Sequence, residues 1–387
     1  MNPRRIVPLA RIAGVEIRIH VSWVIILAFL TVGAATQPEA FPADWSDIAR
    51  FVAGGVLGFL LLASIVGHEL AHAVVARRRG LPVDSITIVF FGGLTSLEDS
   101  AARPGDEFAI AASGPLASIL VGIPMLVIGV AIGPVASVPA LWLAVTGSAN
   151  LLLGFLNLVP ALPLDGGRIL HAALWASTGD ASLANRRSAR IGRLIGAAGM
   201  AFGILVSLVA DAWTGVVILI IGWFVVQGSR VTERRLEIER LLAGVRVDEV
   251  MERDVPSVSP TLTVDTFAEQ VLSDAERTSV PVLDGDGLVG VIGVAQLRRI
   301  GRRRWADLRA SDVMVAPPTL PSLAAGDAAW AAMEILRRSG LDGIPVMAGR
   351  SLLGVFTRRS IVEAIRERAT GQSGPGLPGT GRGEPGR

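Results

Sequence analysis

From Phe108 to Pro163 the chain runs for 56 residues without one charged side chain. A domain folding in water places charges along nearly every surface segment, whereas the hydrocarbon layer of a membrane excludes them. Apolar blocks continue on both sides, from about Val21 to Phe224, and the mean hydropathy is +0.54 with only 18% charged residues. A wholly water-soluble or disordered chain is excluded. Blocks long enough to cross a bilayer fall at 19–36, 51–76, 108–132, 138–160, 191–210 and 213–229, so we expect about six transmembrane helices.

Arginine tests that count, because cytoplasmic flanks are enriched in it. Arg4, Arg5, Arg11 and Arg18 precede the first block and Arg77 to Arg79 follow the second. Arg168, Arg186, Arg187, Arg190 and Arg193 separate the fourth from the fifth, and Arg230, Arg234, Arg235 and Arg240 follow the sixth. The opposite loops hold Glu39, Asp44, Asp47 and Arg50, then the uncharged Gly133 to Val138, then Asp211. An even number of spans with both termini cytoplasmic satisfies this pattern, and no cleavable leader is expected. Between the second and third blocks, Ser85 to Phe91 is β-rich and runs into Gly92 and Gly93, which predicts a strand or hairpin beside the helices.

The 36 basic residues, all arginine, nearly cancel the 34 acidic ones, which gives nucleic-acid binding little support. Without cysteine there is no disulfide and no thiolate ligand, so a metal must be held by His, Asp or Glu. The histidines are His20, His68, His72 and His171. His68-Glu69-Leu70-Ala71-His72 is an HExxH arrangement: histidines four apart share a helix face and can meet one zinc, with the glutamate close enough to handle water. A chance pair in lipid would carry an uncompensated desolvation cost. A third ligand is wanted, and Asp165, which ends the charge-free stretch among prolines and glycines, is the outstanding candidate, the alternative being an ordinary helix N-cap. His68 lies 17 residues beyond Phe51, about 26 Å along a helix, so the site belongs near the cytoplasmic boundary. His20 and His171 read as packing or interfacial residues, the tryptophans as interfacial anchors, and Glu98, Asp99, Asp106 and Glu107 as a solvated turn.

These residues, with Phe91-Gly92-Gly93, Ala112-Ser113-Gly114-Pro115-Leu116, and Asn157-Leu158-Val159-Pro160 leading to Leu164-Asp165-Gly166-Gly167-Arg168, resemble the site-2 protease family of intramembrane zinc metalloproteases, in its prokaryotic CBS-containing branch. The resemblance covers residues 1 to about 230. It implies one zinc held by His68, His72 and Asp165, Glu69 as general base, Asn157 as a helper near the scissile carbonyl, and edge pairing of unwound substrate along Phe91 to Leu94. It also implies transmembrane protein substrates, an anti-sigma factor for instance. The competing reading is a CBS-regulated metal transporter or channel using the same His and Asp residues, which has no need of Glu69 as a base.

After Arg230 the chain becomes charged, and a unit of about 63 residues occurs twice. Asp248-Glu249-Val250-Met251 recurs as Ser311-Asp312-Val313-Met314, and Val280-Pro281-Val282 as Ile344-Pro345-Val346. Leu288-Val289-Gly290-Val291 matches Leu353-Gly354-Val355 at the glycine. The pair resembles tandem CBS domains of α/β fold, which implies an adenine-nucleotide site in the cleft between the repeats; the alternative is a homodimerisation or docking module. The Gly-x-x-Thr-x-x-Asp ending of nucleotide-binding repeats is incomplete, with Gly290, Gly293 and Gln296 in one copy and Gly354, Thr357 and Ser360 in the other. Expected boundaries are 1–230 for the protease domain, 231–244 for a linker, 245–305 and 306–369 for the repeats, and 370–387 for a disordered tail rich in glycine and proline. Arg298, Arg299 and Arg302 to Arg304 form a basic run suited to a solvated face or to anionic lipid. The whole reads as a multi-pass cell-membrane protein.

Overall fold

The computed structural model describes residues 6–369, apart from 13, 37–40, 42–44, 90–91, 98–100, 102, 134–136, 271–278, 286 and 350. Expectations placed on Arg4, Arg5, Glu39, Asp44, Phe90, Phe91, Glu98, Asp99 and the tail from Thr370 lie outside the described residues. Two units separate, 1–234 and 235–387.

In the first unit every apolar block is helical: α1 (Ser22–Ala35), α2 (Asp47–Arg78), α3 (Pro104–Ile132), α4 (Ser137–Asn157), then, after a short α5 (Asp165–Thr178), α6 (Ala181–Val209) and α7 (Ala212–Leu241). Five of these, α2, α3, α4, α6 and α7, are long and apolar enough to cross a membrane. Many large apolar side chains on the helices are exposed, Phe29, Leu120 and Leu208 among them, the reverse of a bundle built for water. With apolar solvent outside, helices associate through close packing of small residues. A methyl at Gly147 of α4 would lie 2.6 Å from the Leu126 amide nitrogen of α3, and one at Gly203 of α6 2.6 Å from that of Leu219 in α7. Gly54 and Gly58 of α2 open the same kind of approach to α1.

Helix α1 has 14 residues where a longer first span was expected. Residues 15–20, Val-Glu-Ile-Arg-Ile-His, alternate with the period of a strand, and the structure uses them as one. Strands β1 (Ile6–Ile12), β2 (Val15–His20), β3 (Val83–Val89) and β4 (Gly92–Leu97) form one sheet in that order, with β2 and β3 parallel and both outer pairs antiparallel. The expected hairpin is therefore half of a larger sheet. Its inner residues Val15, Ile17, Ile86 and Ile88 pack with Leu62, Ala73 and Ala76 of α2, so the sheet buttresses the helix turn that carries His72.

The second unit repeats one motif. Short α8 (Val247–Val250) and α9 (Val264–Gln270) precede the hairpin β5 (Ser279–Asp284) and β6 (Gly287–Gly293), and α10 (Val294–Leu297) follows. Then α11 (Ala310–Val313), β7 (Leu323–Ala324) and α12 (Ala329–Ser339) precede β8 (Gly343–Ala348) and β9 (Ser351–Thr357), and α13 (Arg358–Ala369) closes the chain's described part. The hairpins share a register, Pro281 opposite Val291 and Pro345 opposite Val355, and each has its irregularity at the same place, between Val282 and Leu283 and between Val346 and Met347. The copies are cross-linked: Glu252 bridges to Val355, and Val315 to Val291. A glycine makes room at each crossing, since a methyl at Gly354 would lie 2.4 Å from the Glu252 carbonyl oxygen and one at Gly290 2.5 Å from Met314 Sδ.

Candidate metal centre

Helix α2 puts His68 and His72 one turn apart on its inner face, 4% and 5% exposed. The third residue comes from α5, 93 positions along the chain. Asp165 Oδ2 lies 3.1 Å from His68 Nε2 and 3.2 Å from His72 Nε2, and the two Nε2 atoms are 3.3 Å apart. Among the described residues this is the one group of three or more such side chains able to hold a metal ion.

The outer side of each ring is committed elsewhere. His72 Nδ1 faces the Ile110 carbonyl oxygen at 2.7 Å, so it carries the hydrogen and donates, which leaves Nε2 as a bare lone pair in the neutral ring. His68 Nδ1 meets Ser118 Oγ at 2.9 Å. Acceptor atoms turned on one another at this range repel unless a cation lies among them. Ligand atoms about 2.0–2.1 Å from a tetrahedral zinc stand about 3.3 Å apart. The edges of the cluster, 3.1 to 3.3 Å, fit that ion, and two imidazoles with a carboxylate are a zinc donor set.

Two backbone features make the convergence feasible. Gly114 of α3 faces the histidines, and a Cβ there would sit 2.3 Å from His72 Nε2 and 2.8 Å from His68 Nε2. The segment after α4 folds tightly over the start of α5, where a Cβ at Gly166 would be 2.3 Å from the Val159 carbonyl oxygen and one at Gly167 2.4 Å from the Leu162 nitrogen. Ser229 of α7 donates to the Leu162 carbonyl at 3.0 Å and holds that segment down. Asp165 is the first residue of α5, whose N-cap position is Leu164; its carboxylate serves the histidines rather than the helix end.

Glu69 is half-buried between the two histidines on α2. Asn157 ends α4, and its amide donates to its own helix, at the Leu153 carbonyl, 3.1 Å away. His20 closes β2 and bonds Ser22 at 2.9 Å, apart from the cluster. Asp106 pairs with Arg79 at 2.9 Å. Glu107 corrects the reading of a solvated turn: it stands in the first turn of α3 with its side chain 15% exposed, and its Oε2 is 2.8 Å from His171 Nδ1. Sequence reasoning missed Ser118, Ile110 and this Glu107–His171 pair, none of which forms a local motif, and it gave Gly114 no role of its own within the motif that contains it.

His171 Nε2 faces the Ala181 carbonyl oxygen at 3.2 Å, so both ring nitrogens have acceptors and the imidazolium is the form that satisfies them. The hydrogen bond to Glu107 raises the His171 pKa above its usual value, against the opposing effect of burial. A raised folded-state pKa contributes stability that is complete below the unfolded value, about 6.5, and is lost as pH rises through the folded one. The thermal-stability gap between the wild type and His171→Gln should therefore be widest below pH about 6.5 and narrow above it. A gap independent of pH would show that the ring is held as the neutral form.

A helical bundle with membrane-length apolar helices and this cluster has the donor set and the intervening glutamate of a zinc metallohydrolase. Comparisons with known proteins agree. Residues 56–140 and 135–206 match the model of peptidase family M50, and residues 247–302 and 310–367 match the CBS domain. The chain is similar to the Rip3 protein of Mycobacterium tuberculosis, 32% identical over 94% of this chain and 93% of that protein. It is also similar to zinc metalloprotease MJ0392 of Methanocaldococcus jannaschii, 27% identical over 92% and 95%. Among solved structures, the site-2 protease from Methanocaldococcus jannaschii matches at 27% identity over 59% of this chain and 94% of that one, with a TM-score of 0.41. The chain belongs to peptidase family M50, the site-2 proteases, and is a multi-pass membrane zinc metalloprotease carrying a CBS pair. That sets aside the transporter or channel reading.

Proposed function

We propose that this protein hydrolyses a peptide bond within the transmembrane segment of a protein substrate, near the cytoplasmic face, with His68, His72 and Asp165 holding the zinc. The observation that carries the reading is the meeting of three lone-pair donors, from α2 and α5, at 3.1 to 3.3 Å inside a bundle whose outer surface is apolar. When bound, zinc supplies Lewis-acid polarisation of the scissile carbonyl and acidifies water. Glu69 takes the proton of the attacking water and hands it to the leaving amine. Rotation of the Asn157 side chain away from Leu153 frees its amide to donate to the developing oxyanion. Strand β4 lies at the edge of its sheet, which supports pairing with a substrate strand whose own helical hydrogen bonds have opened.

The arginine-rich flanks support cytoplasmic termini and a cleavage product released to the cytosol, the arrangement of regulated proteolysis. A membrane-anchored signalling protein, such as an anti-sigma factor, is the class of substrate this implies. The CBS pair is read as a homodimerisation module. Gln296 and Ser360 stand where a ribose-binding carboxylate would be needed, and Ser360 instead accepts a hydrogen bond from the Thr357 backbone nitrogen at 3.2 Å.

The test is Glu69→Gln in the full chain, reconstituted in liposomes with a single-span reporter whose apolar segment carries an Asn-Pro break. Zinc content should stay at wild-type level while cleavage falls by about 10²-fold or more. Cleavage at the wild-type rate would remove Glu69 from its role.

A further inference from the structure

A cavity of about 240 Å³ opens between α2, α3 and α4, with His68 at one end. Ala63 and Gly67 of α2 and Ala117 of α3 wall it, and Thr146 and Asn150 of α4 also line it. Gly67 differs from the glycines at helix crossings. A Cβ there meets nothing within 4 Å, so the missing side chain admits no neighbouring backbone; it leaves space beside the metal ligand.

The polar groups of the lining are mostly turned into the protein. Asn150 Nδ2 donates to Ser64 Oγ at 2.7 Å and to the Thr146 carbonyl at 2.9 Å, and Ser64 Oγ donates to the Leu60 carbonyl at 3.0 Å. Ser118 Oγ is bonded to His68. The Thr146 hydroxyl is buried without a partner among the described residues. An occupant therefore meets carbon on most sides, and no carboxylate or guanidinium. A residue flanking the bond under attack has its Cβ about 2.5 Å from the reacting carbonyl carbon, near enough for its side chain to start at His68 and extend into this space.

We propose that the cavity receives one substrate side chain, from a residue flanking the scissile bond, and selects there an aliphatic group of leucine or methionine size. The proposal rests on the endopeptidase reading above and names part of its substrate class. Burial of the aliphatic group supplies the preference, and a charged side chain is rejected because nothing in the lining balances it.

The test uses the full chain in liposomes and a set of single-span reporters in which each residue within three positions of the cut is in turn Gly, Ala, Leu, Met or Asp. One position should favour Leu or Met over Gly and Asp by about tenfold or more. In Gly67→Leu and, separately, Ala117→Leu, the preference at that position should reverse toward Gly and Ala, with preferences elsewhere unchanged. The milder Gly67→Ala should raise the thermal midpoint of the protein, because alanine suits a helix interior, while cutting the Leu-bearing reporter more slowly. If the wild type cleaves, Glu69→Gln does not, and no position shows a size preference, or the filled variants shift none, the pocket is wrong and the endopeptidase reading stands. If the wild type cuts no reporter, both fall together.

Discussion

Gly114→Ala should strip the protein of zinc and abolish cleavage, though it adds a single carbon. That carbon would lie 2.3 Å from His72 Nε2 and 2.6 Å from His72 Cε1, distances that real Cβ atoms do not sustain. The ring cannot simply retreat, because its Nδ1 donates to the Ile110 carbonyl of the same helix α3 at 2.7 Å. Either α3 backs away from α2 or the imidazole turns out of the cluster, and in both cases the three ligand atoms part. We expect a loss of about 10²-fold or more in metal affinity, by competition with a chelator, and in reporter cleavage. Gly199→Ala on α6 is the control: its Cβ meets only the Gly222 Cα at 3.7 Å, an ordinary contact, and it should bind zinc and cleave like the wild type. Wild-type zinc content in Gly114→Ala would show that the cluster does not occupy the ion's place.

Asp165→Asn should be equally severe for a different reason. Shape is nearly unchanged, but the amide brings donors where the carboxylate had only acceptors. Its NH2 group can hydrogen-bond both Nε2 atoms, now 3.1 and 3.2 Å from the carboxylate oxygen, and so satisfies the two rings without a cation. The variant should then have a higher thermal midpoint than the wild type when both are metal-free, while its zinc affinity drops by about 10²-fold or more and cleavage disappears. Stoichiometric zinc retained against a chelator would take Asp165 out of the ligand set.

The sequence made some of this legible and hid the rest for physical reasons. A shared face for His68 and His72 follows from helix periodicity alone, and Asp165 stood out because it is the first charge after so long an apolar run. The repeat in the second unit was readable because equivalent residues fall at equivalent steps of both hairpins. Gly114 was inside a quoted motif, yet a glycine's purpose depends on what an absent atom would strike, and that is a fact about two other helices. The Glu107–His171 pair joins residues 64 apart, beyond any local pattern. Strand β2 went unread, since only Ile19 and His20 of it fall in the first apolar block and the alternation from Val15 through Ile17 to Ile19 is too short to stand out beside a long apolar run. The parallel pairing of β2 with β3 brings together segments on either side of two helices, which no short-range signal reports.

The exchange of backbone bridges between the two halves of the second unit has an evolutionary corollary. Each copy lends its leading segment to the other's hairpin, so a single copy would leave the groove over its glycine unfilled and its own leading segment without a partner. Loss of one half is therefore not a route back to a simpler ancestor. The halves must be inherited, and diverge, together.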